Sequence, residues 1–259
     1  MFTDRNFGVC TTSTPPQWHS RDWSEPRPLP YVGAKLVAEW LLALWLVAMT
    51  APFLLLLAAL VKLTSRGPAF YVQSRLGFRG RTFQIIKLRT MYHDCEVTTG
   101  PVWSLPGDRR VTRLGRVLRD THLDELPQLL NVILGHMSLV GPRPERPEIS
   151  TKIEKVLPQF RSRLLVRPGV TGLAQMRLPA DSDLEGVRLK LAHDLYYVRH
   201  ISFLLDIRVA FSTAFYFLAA VAQGICGALV NSYGRAVEHS LSSAHHVAAD
   251  RSEMGAVEA

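Results

Sequence analysis

Cysteine is scarce: Cys10, Cys95 and Cys226 are the only three in 259 residues, and no two form a C-x-x-C pair. That rules out a disulfide framework and leaves the folded part expected in a reducing compartment. Internal repeats are missing too, and so are an aromatic-rich face and any recognisable nucleic-acid motif. A sequence-reading nucleic-acid binder is therefore disfavoured. Acidic residues run low in the middle of the chain, where Lys62 to Arg167 holds 9 Asp/Glu against 19 Lys/Arg. That section carries +10, so the remainder carries −2 of the net +8. Such a balance implies an anionic partner, whether phospholipid, phosphorylated substrate or nucleic acid. Charge itself disappears from Trp40 to Val61, a run of 22 residues. At helical rise this run measures roughly 33 Å, against a hydrocarbon core of about 30 Å.

Apolar residues make up 47% of the chain, which excludes a disordered protein. Residues 1–34, rich in Pro, Ser, Thr and Arg, are expected to form a flexible leader. Two readings of the apolar run stay open on residue physics. A straight spanning helix is the default, but Pro52 near the middle removes a donor and clashes with the preceding turn. A helix broken there enters the bilayer and returns to the same face. The Lys/Arg excess beyond Val61 puts that side in the cytoplasm. Strand-like stretches around Gly77 and Gly80 predict a β-hairpin within 68–86. Helices are predicted over much of 108–135, over 148–166 and over 184–200, the last with Leu184, Val187, Leu191 and Leu195 on one face. The apolar run 203–230 reads as an interfacial helix or a second membrane segment, and 231–259 as a polar tail.

Chemistry concentrates between Asp108 and Pro147. Five arginines (Arg109, Arg110, Arg113, Arg116, Arg119) precede Leu123-Asp124-Glu125-Leu126-Pro127-Gln128-Leu129. Helical spacing would put Arg109, Arg113 and Arg116 on one face. Pro127 is tolerated only in a first turn, so a helix is predicted to start near Asp124. Asp124 and Glu125 then sit at a helix N-terminus, where adjacent carboxylates either cap the helix or serve as nucleophile and metal ligand. Arg143, held between Pro142 and Pro144, has little freedom to swing away and suits bidentate grip of a phosphate. Lys87-Leu88-Arg89-Thr90-Met91 and Arg167-Pro168-Gly169-Val170-Thr171-Gly172 add two more cationic clusters. Together they suggest a diphosphate site beside a carboxylate pair. His93, Asp94, Cys95 and Glu96 are consecutive and do not converge on one metal.

In these motifs, and in Leu63-Thr64-Ser65-Arg66-Gly67-Pro68-Ala69-Phe70-Tyr71, Ser138-Leu139-Val140-Gly141-Pro142-Arg143-Pro144 and Asp194-Leu195-Tyr196-Tyr197-Val198, the chain resembles a known family. It is similar, from Lys35 to Ile207, to the bacterial polyprenyl-phosphate sugar-phosphate transferases, the small monotopic phosphoglycosyl transferases. The resemblance implies a mainly α fold with a small β-hairpin, a Pro-broken re-entrant helix over 35–62, a cytoplasmic catalytic domain over 63–207 and amphipathic interfacial helices, one at 208–230. It implies transfer of a sugar-1-phosphate from a UDP-sugar to undecaprenyl phosphate at the bacterial inner membrane. Asp124 would be the nucleophile, the Asp124–Glu125 pair would lie at a Mg²⁺ ion, and Lys87, Arg89, Arg119, Arg143 and Arg167 would contact phosphate. Asp194 matches a supporting acid. Membrane lipid is an implied partner, a homodimer is allowed, and the chain corresponds to the catalytic domain of longer members.

Two departures from the family pattern bear on membrane geometry. Lys35-Leu36-Val37-Ala38-Glu39 stands where Lys-Arg-x-x-Asp is usual, and Thr50-Ala51-Pro52 where Ser-Pro is usual. A Ser there would bond back to a helix carbonyl and help the turn, and Thr50 is placed to do so one position earlier. Two rival readings are a basic membrane-tethered module without activity and a transferase-like scaffold that has lost it. The acidic pair among the arginines argues against the first, and the completeness of the motifs against the second.

Overall fold

The computed structural model describes residues 30–93, 95, 107–178 and 184–219. The expectations for residues 1–29, for 220–230 and for the tail lie outside these, as do Asp94 and Glu96.

Helix α1 spans Pro30–Thr64. It starts five residues before the expected leader boundary, because Pro30 suits a first helical turn, where no N–H is needed. The helix is long and apolar enough to cross a membrane. Its helical span includes Pro52. Nearby, Thr50 Oγ1 donates to the Leu46 carbonyl at 2.7 Å, the back-bond foreseen for this residue.

One face of α1 packs on the rest of the protein near both ends and around Ala43. Tyr31 and Val32 pack against Tyr197, Ile201, Leu205 and Val209. Ala43 meets Phe83, Ile85, Val132 and Met137 in the middle. Leu57, Ala58 and Val61 close on Leu88 and Leu118 at the far end. Both ends of the helix are therefore tied to one globular body. The opposite face exposes Leu41, Trp45, Met49, Leu55, Leu56 and Leu63.

Strands β1 (Phe70–Leu76) and β2 (Thr82–Leu88) form the expected antiparallel hairpin, with Phe70 opposite Leu88 and Leu76 opposite Thr82. Helix α2 covers Arg113–Asp120 and α3 covers Gln128–Ile133, with a 3₁₀ turn at Leu123–Glu125 between them. The expected helix over 108–135 is thus divided, and Arg109 lies before the α2 N-cap, Thr112, rather than on its face. Strand β3 (Ser138–Val140) pairs in parallel with β4 (Gly169–Thr171). This pairing needs glycine: a Cβ on Gly169 would sit 2.1 Å from the Gly141 nitrogen.

Helix α4 (Pro147–Val156) stops short of the expected 166, because Pro158 opens a separate 3₁₀ segment, Pro158–Leu165. Helix α5 (Leu173–Arg177) follows β4, and α6 (Leu184–Arg199) matches its expectation. In α6, Val187, Leu191 and Leu195 are buried with Phe160, while Leu184 is exposed. Helix α7 occupies 203–219 and exposes Phe203, Leu204, Phe211, Phe215 and Leu218. With the open face of α1 it forms an apolar surface suited to lipid.

Candidate active site

The acidic pair is placed by the connection between α2 and α3. Thr112 caps α2, its Oγ1 accepting from the Gly115 N–H at 2.9 Å. At the other end His122 takes a left-handed conformation (φ 54°) and turns the chain. Asp124 and Glu125 therefore sit on a tight 3₁₀ turn, and Pro127 caps the helix behind them. This differs from the expected first turn of an α-helix, since the proline begins α3 after the acids rather than within it. Asn131, fully buried in α3, ties the assembly to β2. Its Nδ2 donates to the Gln84 carbonyl at 2.7 Å and its Oδ1 accepts from the Ile86 N–H at 3.1 Å. The next residue of the strand is Lys87.

Lys87 Nζ lies 2.6 Å from Glu125 Oε1, and Arg143 grips both oxygens of the same carboxylate. Burial alone would push the Glu125 carboxyl up, yet Arg143 and Lys87 together hold it well below the usual glutamate range. Asp124, 8% exposed, differs: it accepts no hydrogen bond among the described residues. Burial raises its carboxyl above the usual aspartate range, with Lys87 opposing. Both acids line a cleft of about 580 Å³, together with Lys87, Arg89, Arg119 and Arg143. Arg119 Nε donates to Thr90 Oγ1 at 2.8 Å. Arg89 Nη2 donates to the Ser65 carbonyl and hydroxyl, both at 2.8 Å.

Several cleft residues escaped the sequence reading. Arg75, Glu145 and Arg146 line it, with Tyr71 and His122 at other points of the wall. Glu145 is the hub of the group, bridging Lys190 (2.9 Å), Arg75 (3.7 Å) and Arg163 (3.9 Å). Its place directly after Pro144 was the available signal.

Magnesium commonly binds through one or two carboxylates and keeps its other positions for phosphate oxygens and water. Among the described residues no three His, Cys, Asp or Glu side chains converge as a cage. Both Glu125 oxygens are engaged by cations, which leaves Asp124 as the open donor. The residues fit an ion that arrives with a diphosphate.

The profile of the bacterial sugar transferases matches residues 31–220. The chain belongs to the bacterial sugar transferase family.

One relative, the UDP-glucose:undecaprenyl-phosphate glucose-1-phosphate transferase of Caulobacter vibrioides, is 43% identical over 191 residues, which are 72% of this chain and 71% of that protein. An exopolysaccharide production protein of Rhizobium leguminosarum bv. phaseoli is 43% identical over 169 residues, 63% of this chain and 84% of the relative. A third is the UDP-N-acetylgalactosamine-undecaprenyl-phosphate N-acetylgalactosaminephosphotransferase of Aeromonas hydrophila, 38% identical over 188 residues. That match covers 73% of this chain but only 44% of the Aeromonas protein.

Two anticipated contacts of this sugar transferase fall outside the cleft. The Arg167 guanidinium passes near Gly135, where a Cβ would lie 3.8 Å from its Nη1. Asp194, buried in α6, pairs with Arg163 at 2.7 Å, and Arg163 Nη2 donates to the Arg143 carbonyl at 2.7 Å. Asp194 thus supports the Arg143 loop from behind instead of touching the cleft.

Proposed function

We propose that this sugar transferase moves a sugar-1-phosphate from a UDP-sugar to undecaprenyl phosphate and releases UMP. The observation that carries this reading is an open, buried carboxylate, Asp124, in a cleft lined by Lys87, Arg89, Arg119 and Arg143. The names of the relatives support the substrate classes, and their different sugars, glucose and N-acetylgalactosamine, leave the donor sugar open. The product would begin the assembly of exopolysaccharide, capsule, O-antigen or a related glycan.

In this reading Asp124 attacks the phosphorus that bears the sugar, forming a phosphosugar-aspartyl intermediate as UMP departs. The lipid phosphate then displaces Asp124 in a second step. Glu125 holds Lys87 and Arg143 side by side, so that both present N–H groups to a phosphoryl group in a partly desolvated cleft. Mg²⁺, held by Asp124 or Glu125 together with the diphosphate oxygens, would neutralise phosphate charge when bound. Burial of Asp124 limits competing water.

The membrane reading is monotopic: α1 dips into the cytoplasmic leaflet of the bacterial inner membrane, with both ends on the cytoplasmic side. Packing of both ends on one globular body supports this, because a helix crossing to the far side would have to leave one set of contacts. Re-entrance at Pro52 is part of the same proposal.

The test is UMP release from a panel of UDP-sugars with undecaprenyl phosphate and Mg²⁺, for the wild type and Asp124→Asn. Lipid-dependent release with one donor is expected, with a loss on the order of 10⁴-fold in the variant. Activity persisting in Asp124→Asn would sink the covalent route.

A further inference from the structure

His122 stands two residues before Asp124, with its backbone held in the left-handed region (φ 54°). Main-chain bonds alone close the turn it makes. Its N–H donates to the Arg119 carbonyl at 3.1 Å, and its carbonyl accepts from the Glu125 N–H at 3.2 Å. A glycine would adopt that conformation with less strain, so the turn itself has no need of an imidazole. What the ring touches is therefore informative. It forms part of the cleft wall, and its nitrogens make no hydrogen bond among the described residues. It also lies against Tyr216 of α7, with ring centroids 5.7 Å apart and planes tilted by 47°.

Tyr216 ends the packed stripe of α7. Leu205 and Val209 on that stripe are buried in the core with Tyr197. Thr213 follows one turn later and meets Thr171 of β4, Oγ1 to Oγ1, at 2.7 Å. Tyr216 comes next at helical spacing, but it is 52% exposed. The inner face of α7 thus runs off the protein body at Tyr216, where it meets His122. Phe211, Phe215 and Leu218 form the outer stripe, and all three are exposed. A tyrosine, apolar in its body and polar at its tip, suits the boundary between an apolar layer and water.

The contact of these two rings therefore joins the cleft to the apolar surface. A polyprenyl phosphate has to bring its phosphate to Asp124 while its hydrocarbon stays in the apolar layer. An imidazole N–H donates to a phosphate oxygen, and the face of a tyrosine ring offers a flat apolar contact to isoprene units.

We propose that His122 and Tyr216 form the entrance for the acceptor lipid, His122 holding the phosphate as it enters the cleft and Tyr216 packing along the isoprene units next to it. The inference rests on the two-step transfer and the membrane reading proposed above. A UDP-sugar, arriving from water, has no need of this entrance, so the effect of disabling it falls on one substrate.

In a two-step transfer, kcat/KM for the donor reports the first displacement and kcat/KM for the lipid the second. Both are measured on the full chain in lipid nanodiscs, varying undecaprenyl phosphate and the UDP-sugar that wild type uses. His122→Gly keeps the turn and removes the ring. It is expected to lower kcat/KM for the lipid by about tenfold or more, the scale of a lost hydrogen bond to a charged group, and to leave the donor value close to wild type. His122→Asn tolerates a left-handed backbone and retains an N–H donor, so it should recover part of the loss. Tyr216→Ala should lower the lipid value by a smaller factor, and Tyr216→Phe should restore most of it. Because Tyr216 is half exposed, that pair decides the matter if His122→Gly fails to fold. Equal losses for donor and lipid, a loss for the donor alone, or no loss at all overturns the entrance. If wild type transfers no sugar from any donor, the proposed function fails and this inference with it. If wild type transfers while the lipid value is unmoved in His122→Gly and Tyr216→Ala, only this inference fails.

Discussion

Two buried ionic clusters in this protein are built as opposites. In the cleft one acid, Glu125, sits between two cations, Lys87 and Arg143. Near the start, or root, of the apolar helix α1 one cation, Lys35, sits between two acids, with Glu39 Oε1 at 2.6 Å and Asp206 Oδ2 at 2.9 Å. The cleft cluster has a positive surplus and opens onto a cavity. The root cluster has a negative surplus, and protein groups absorb it. Ser138 Oγ and the Val140 N–H donate to Glu39, while Tyr31 and Tyr197 hydroxyls donate to Asp206. A charge surplus left facing a cavity is available to a ligand, whereas one saturated by hydroxyls and backbone holds elements together. Here the elements joined are α1, β3, α6 and α7, and the strand among them leads into the Arg143 loop.

The comparison breaks most visibly at Lys35. Lys35→Met leaves two carboxylates buried without a counter-ion and should cost about 3–5 kcal/mol of stability. Thermal unfolding in detergent would record it, and a change within error would mean that the root cluster is not structural. Glu125→Gln should weigh the other way, costing less stability than Lys35→Met because Lys87 and Arg143 face the cleft, while slowing transfer by about 10²-fold, the equivalent of roughly 2.7 kcal/mol. Comparable losses of stability in both variants would erase the distinction drawn here.

Acidification sharpens it further. The Asp124 carboxyl is raised by burial, so it is the first of the pair to be neutralised as pH falls, and transfer falls with it. Glu125 is lowered by Arg143 and Lys87 against the effect of burial. Its contribution to stability is fully present above the ordinary glutamate value and is lost only as pH falls through the lowered folded value. A pH series of transfer rate and melting temperature should show the rate failing at higher pH than the Glu125-dependent stability. Coincident limbs would contradict the assignment. The smallest effect is expected from Tyr197→Phe, which deletes one hydroxyl bonded to Asp206 Oδ1 (2.6 Å) and the Val140 carbonyl (2.9 Å) and should cost about 1–1.5 kcal/mol. Unchanged unfolding there would show that the surplus charge needs no hydroxyl.

The sequence made some parts of this site legible and hid others. Hairpin strands and the α6 stripe were readable because burial on one face imposes a period on local sequence. Arg143 was readable because flanking prolines restrict it locally. Glu39 stood out as a departure from the family start, but its reach to Ser138 and Val140, about a hundred residues away, has no local signature. The same holds for Arg163, whose partners Asp194, Glu145 and Arg143 come from two other segments, α6 and the loop after β3. Arg109 was placed on the α2 face for the converse reason: abundance of cations in sequence does not say where a helix starts.

By itself the sequence determined the long apolar helix, the hairpin, the acidic pair and the cationic character of its surroundings. Each of these follows from side-chain type and spacing over a few consecutive turns or strand residues. Only the tertiary structure decided which cations meet Glu125 and that Asp124 stays open beside it. Those facts depend on desolvation and on contacts between distant segments, which exist only once the chain has packed.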